Sequence, residues 1–192
     1  MAVNIVETVQ KNLGFPELKK IDPNTQEVEK HENISAEDYL AQAAIPVVLL
    51  GLYKYSQTEE GNAELLKGEL HQKLLKTIFG NNTQAVIDRI ANYTGNTSDY
   101  TAYKMEIIAW EALHIIRNNL SAQPAGADIK TFLADQRHNI LIHLPASLKI
   151  GEVLHDSTID DRTHKMEGPI SSHMHWLEKF FPGTDRRKEE NF

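Results

Sequence analysis

The stretch from Tyr100 to Leu120, YTAYKMEIIAWEALHIIRNNL, constrains this chain more than any other, because it is the longest strongly patterned apolar segment. At helical spacing Met105, Ile108, Ala109, Trp110, Ala112, Leu113, Ile116 and Leu120 fall on one continuous arc wider than half the circumference. Lys104, Glu111, His114 and Asn118 are left as a narrow polar strip. A helix so nearly apolar all round is expected in the middle of a bundle. Thr97 and Ser98 offer side-chain acceptors to its first amides, and Gly95 suits the end of the helix before it.

The rest of the chain extends the same reading. Val3, Ile5, Val6, Val9 and Leu13 predict a short amphipathic helix over 2–14, ended by Gly14 and Pro16. Residues 16–33, PELKKIDPNTQEVEKHEN, are charged and punctuated, with too little apolar content to pack, and read as a linker or exposed arm. Ser35 with Asp38 three residues on resembles a capping box and opens a helix through YLAQAAIPVVLLGLYKYSQ. Pro46 inside that run predicts a kink near Ala43 or a break into two helices. One helix is expected over 58–79, ending at Gly80, and another from Thr83 to Gly95. Beyond the loop NLSAQPAGA, Asp128 caps a helix that runs to Pro145, and ASLKIGEVLH follows as a shorter one. Ser157 and Thr158, each with an aspartate three residues later, suggest a short helix over 159–167. A last one, from about Ile170 to Phe181, carries Met174 and Leu177.

No segment alternates with period two, and no Asn-Gly or Asp-Gly hairpin turn separates two strand-like runs. The expected fold is all-α, a compact bundle of about eight helices without a β-sheet. Its organisation would be a short helix and charged linker over 1–34, one helical half over 35–121, a second over 127–182, and a charged tail over 183–192.

With 192 residues the chain can bury a core without staples, and it contains no cysteine, so disulfides and thiolate metal sites are excluded. The start MAVNIVETVQKNLGF lacks the basic, uninterrupted apolar pattern of a secretory signal, and no run of about twenty apolar residues exists. A cytoplasmic protein with no transmembrane segment is expected. The formal charge of −7 argues against nucleic acid as a partner, since that binding rests on clustered Lys and Arg. Arg186, Arg187 and Lys188 form the only dense basic patch, and two glutamates follow it at once.

Two segments, AIPVVLLGLYKYSQTEEGNAELL at 44–66 and IFGNNTQAVIDRIANYTGNTSDYTAYKMEIIAWEALHIIRNNL at 78–120, together resemble the bacterial YidB-like family, a widespread domain of unknown function. The shared pattern is an apolar helix of IPVLLGGL type, a helix start of EGAEALL type, a Gln-Ala-Val helix, a glycine-centred turn and a very apolar final helix. The resemblance covers roughly residues 36–120. It implies an all-helical fold and no activity.

The residues with potential for chemistry form two Glu-x-x-His pairs, Glu111 with His114 and Glu152 with His155. On a helix this spacing puts carboxylate and imidazole one turn apart on one face, and two such pairs plus a glutamate from each of two further helices make a di-metal carboxylate site. Against that, a chain with nine histidines produces about one such match by chance. The extra carboxylates would have to come from Glu69, Glu64 or Asp135, none of which lies in an otherwise apolar face, and Glu111 and His114 share their strip with Lys104 and Asn118. His138 and His143 are about 140° apart on a continuous helix and cannot chelate one ion. His173 and His175 diverge likewise; with Trp176 and Phe180 they suggest a partner-facing helix rather than a metal site. His31 and His71 read as exposed. Asp156, Asp160 and Glu167 match three positions of a calcium loop, but Thr158 and Asp161 replace a ligand and the turn glycine, so overlapping helix caps explain them better. Gly61 and Gly68 lack the lysine of a phosphate loop, and Ser147 has no evident base.

The residues therefore favour a non-enzymatic interaction or scaffolding protein, self-associating through broad apolar helix faces, with no resident cofactor. The alternative is a metal-dependent enzyme or metal-storage bundle in which Glu111, His114, Glu152 and His155 bind a divalent metal. Peripheral membrane association through 170–181 is disfavoured by the lack of a basic polar face.

Overall fold

Asn4 opens the first helix, α1 (Ile5–Asn12), because its side chain accepts the Val6 amide at 3.2 Å and the Glu7 amide at 3.4 Å. The computed structural model describes residues 3–22, 24–25, 27–28, 35–67, 73–121 and 128–160. After α1 come α2 (Ala36–Ser56), α3 (Glu59–Lys67), α4 (Leu74–Phe79), α5 (Thr83–Thr94), α6 (Ser98–Ser121), α7 (Ile129–Leu141), α8 (Ile150–Leu154) and α9 (Ser157–Asp160), with 3₁₀ turns at 80–82 and 146–148. Every regular element among the described residues is helical, so the fold is an all-α bundle.

The hub of that bundle is α2 rather than α6. Leu40, Ala41, Ala43, Ala44, Ile45, Val47, Val48, Leu49, Leu50 and Leu52 are all fully buried, and α2 packs against α1, α3, α4, α5, α6 and α7. A helix buried all round needs an apolar residue at almost every position, which the run from Leu40 to Leu52 supplies. Its start is the expected capping box: the Asp38 amide donates to Ser35 Oγ and the Ser35 amide to Asp38 Oδ2, each at 3.2 Å. The helix does not break at Pro46; it runs as one element to Ser56. Neighbours on all sides hold the turn that proline weakens.

On α6, Met105, Ile108, Ala109, Ala112, Leu113 and Ile116 are fully buried as expected. Trp110 is not: it faces outward with Tyr100, Tyr103 and Ile107. The Thr97 hydroxyl accepts the Tyr100 amide at 3.3 Å, while the Ser98 hydroxyl donates to Asp88 at 2.6 Å.

Three other expectations change. The helix expected over 58–79 is two, because Lys73 is extended (φ −56°, ψ 133°) and α4 starts afresh after it. The segment ASLKIGEVLH is divided by Lys149 in the left-handed region (φ 44°) into a 3₁₀ turn and the short α8. The arm after Pro16 is not merely exposed, since Leu18, Ile21 and Val28 are buried. The Ile21 amide donates to the Ile142 carbonyl at 2.8 Å, and Glu27 accepts the Ser147 amide at 2.6 Å. Side chains from Ile5 to Ile159, drawn from both expected halves, join one hydrophobic cluster. No helix among the described residues is long and apolar enough to cross a membrane. The helices expected over 159–167, past Asp160, and over 170–181 lie outside the described residues.

Candidate functional site

The face of α6 turned away from α2 is where this bundle leaves apolar surface uncovered. Tyr103 is 63 % exposed, Trp110 40 % and Ile107 36 %. Their spacing of four and then three residues lines them along one side of the helix, with Tyr100 continuing the row toward its N-terminus. Two hollows border this ridge. One of about 680 Å³ opens between α4, α5 and α6 and is lined in part by Lys73, Lys76, Tyr103 and Glu106. The other, of about 520 Å³, is lined by Leu13, Tyr103, Glu106, Ile107, Trp110, Glu111 and His114.

The ridge is held rigid by its polar neighbours. Glu106 accepts the Leu74 amide at 2.6 Å through one oxygen and the Leu75 amide at 3.2 Å through the other, so it caps α4, whose own preceding residue Lys73 has no capping side chain. Its first oxygen also accepts the Trp110 indole N–H at 3.0 Å, which orients the ring. On the other side Lys104 donates to Glu37 at 2.6 Å and sits 5.8 Å from the centre of the Phe15 ring and 5.5 Å from that of Tyr100. The bond to Glu37 raises the Lys104 pKa above its ordinary value.

Of the two Glu-x-x-His pairs, the first is intact on the edge of this ridge. Glu111 accepts Asn12 Nδ2 at 2.7 Å, and His114 Nε2 lies 2.9 Å from Asn118 Nδ2. The second pair does not share a helix face. The α8 helix ends at Leu154, and His155 follows in the left-handed region at φ 53°, exposed. Glu152 is exposed between Arg89 at 3.8 Å and Lys149 at 3.7 Å. Glu64 accepts the Tyr55 hydroxyl, whose pKa is pushed up to about 12 by burial and by that carboxylate; Asp135 is exposed on α7. Among the described residues no three of His, Asp and Glu gather closely enough to hold a metal ion. Asp156 accepts the Thr158 amide at 3.1 Å, and Asp160 accepts the Gly151 and Glu152 amides at 3.1 and 3.0 Å, so both are helix caps. Glu69, His31, His71, His173, His175, Trp176, Phe180 and Glu167 lie outside the described residues.

A polar centre that the residue pattern did not single out lies where the N-terminal segment meets α2 and α7. Gln10, Gln42, Gln136 and His143 are all buried there. Gln136 accepts the Ile5 amide at 3.1 Å, Gln10 accepts the Leu18 amide at 3.1 Å, and Gln42 Nε2 donates to the His143 carbonyl at 2.8 Å. The ring of His143 is 2.7 Å from the Asn139 carbonyl through Nδ1. Burial holds its pKa below the ordinary histidine value; Lys20 adds to this, against the Asn139 carbonyl, Glu7 and Glu17. A glutamine inside the apolar run YLAQAAIPVVLL was the available signal, since a buried amide needs partners. These glutamines bind backbone, which makes the centre a clamp rather than a reactive site.

No protein-family model matches the chain, and neither a curated protein nor a solved structure is significantly similar to it.

Proposed function

We propose that this protein is a non-enzymatic, cytoplasmic scaffold that associates with itself through the outer face of α6. One observation carries the reading: of the five large apolar side chains left exposed among the described residues, four (Tyr100, Tyr103, Ile107 and Trp110) are on this helix. Apolar side chains scattered singly over a surface call for no explanation, whereas a contiguous row on a rigid helix with one polar rim per side has the anatomy of an interface core. Tyr and Trp are also the side chains that most often anchor such contacts. Kinship of residues 36–120 with the YidB-like family is part of the same proposal. It rests on packing motifs and adds no activity.

The test is mass in solution. The reading expects the purified chain to move from monomer toward a larger species as concentration rises, and Trp110→Glu to keep the helical signal while losing that shift. A strict monomer at high concentration would remove the proposal.

A further inference from the structure

Between α1, the arm and the end of α7 lies a cleft of about 610 Å³, large enough for a small molecule and lined by no residue of α6. Two of its lining side chains, Gln10 and His143, are only 6 % exposed. Gln10 commits its oxygen to the fold, accepting the Leu18 amide at 3.1 Å, while its Nε2 has no partner among the described residues. His143 bonds through Nδ1 to the Asn139 carbonyl at 2.7 Å, and burial keeps the ring uncharged at neutral pH. A carbonyl only accepts, so the ring hydrogen is on Nδ1 and Nε2 carries a lone pair, also without a partner among the described residues. Neither free nitrogen is sealed from solvent, as Thr101 Oγ1 and His138 Nδ1 are. Each therefore opens through the cleft that its side chain lines.

We infer that this cleft binds a small uncharged molecule with an N–H beside a C=O, as on the edge of a lactam or a pyrimidine base. The N–H donates to His143 Nε2 and the carbonyl accepts from Gln10 Nε2. Charge around the cleft selects against ions. Its buried floor, Gln10 and the neutral His143, holds no formal charge, so an ionic group brought there loses its hydration without gaining an opposite charge. At the rim Glu7 and Glu17 are offset by Lys19 and Lys20, all four exposed, which leaves no net charge to gather an anion or a cation. Val6, Leu18 and Ile142 supply apolar wall for a flat ring. A polyol suits that wall poorly, because each hydroxyl left unpaired against it carries a desolvation cost. The Asn139 side-chain amide, unpartnered among the described residues and lining the same cleft, is available to a second polar group of the ligand.

The test is an NMR titration of the full chain, labelled with nitrogen-15, using uracil and 2-pyrrolidone as probes. Both should shift the Gln10 side-chain amide saturably, and amide exchange at Leu18 to Ile21 should slow, since the ligand ties the arm to α1 and α7. Gln10→Glu keeps the oxygen that accepts the Leu18 amide and removes the donor; it should weaken both probes about tenfold. Ile142→Trp, at a half-buried wall position, should fill the cleft and abolish binding with the helical signal retained. Asn139→Ala leaves in place the backbone carbonyl that orients His143, and should weaken uracil, with its second carbonyl, more than 2-pyrrolidone. Trp110→Glu should leave binding unchanged, which separates this site from the self-association proposed above. No saturable shift with either probe in the millimolar range overturns the inference, as does binding indifferent to both Gln10→Glu and Ile142→Trp. Acetate, methylammonium or glycerol binding as tightly as the lactam overturns the ligand class.

Discussion

Gln42 Oε1 accepts the Lys19 amide at 2.8 Å while its Nε2 donates to the Lys19 carbonyl at 2.9 Å, so one buried side chain pairs with a peptide segment as a neighbouring strand would. The same Nε2 reaches the His143 carbonyl, joining the arm, α2 and the end of α7. Replacing Gln42 with Ala removes these bonds and leaves buried backbone groups unsatisfied, which costs about 2–3 kcal/mol. Urea denaturation should show that loss, and amide exchange at Leu18 to Ile21 should quicken more than exchange in α6.

The arm also shows where a sequence reading stops. Composition gave residues 16–33 too little apolar content to pack, yet three apolar side chains, Leu18, Ile21 and Val28, are buried where Gln10 and Gln42 take the backbone groups. Local signals transferred well: the Ser35–Asp38 capping box, Asp128 accepting the Thr131 amide at 2.6 Å, and Gly95 at φ 73° all end or start helices where expected. Nonlocal ones did not. Periodicity put Trp110 on the apolar arc of α6, but the helices packed on α6, which are α1, α2, α4, α5 and α7, leave that edge of the arc uncovered. The spacing of Glu152 and His155 suggested one helix face, and only the left-handed turn at His155 separates them.

Glu106 offers a second test, because it caps α4 from another helix. Glu106→Ala should lower stability by about 1–2 kcal/mol, in the range of a lost N-cap, and should fray residues 74–79 first. Glu106→Gln keeps an acceptor oxygen and should cost less. Since Trp110 donates to the same carboxylate, its fluorescence maximum should shift in the Ala variant, whereas a purely global loss of stability would leave the folded-state spectrum unchanged.

His143 predicts a pH dependence whose sign follows from its burial. Its folded pKa lies below the unfolded value of about 6.5, so the unfolded chain takes up this proton first as pH falls. Stability from the neutral ring is therefore complete above about pH 6.5 and is lost as pH drops toward and through the folded pKa. Between pH 7.5 and 5.5 the wild type should lose more stability than His143→Gln in matched denaturant titrations. Equal losses would place the acid sensitivity elsewhere.

The close approach of α2 to the end of α4 gives the last prediction. A Cβ on Gly51 would stand 2.6 Å from Cε1 and Cζ of the Phe79 ring and 3.2 Å from Ile78 Cδ1. Alanine favours a helix interior over glycine by about 1 kcal/mol, and overpacking costs about 1–3 kcal/mol, so Gly51→Ala should be a net loss of about 1 kcal/mol. The clash is with a side chain, which makes it reversible: Phe79→Leu should cost less in the Gly51→Ala background than alone, a coupling that a double-mutant cycle reads directly. At Gly61 the new methyl would overlap the Tyr55 backbone carbonyl instead. No side-chain change can relieve that overlap. Gly61→Ala should therefore lose about 3 kcal/mol, and no substitution at a neighbouring side chain should recover it.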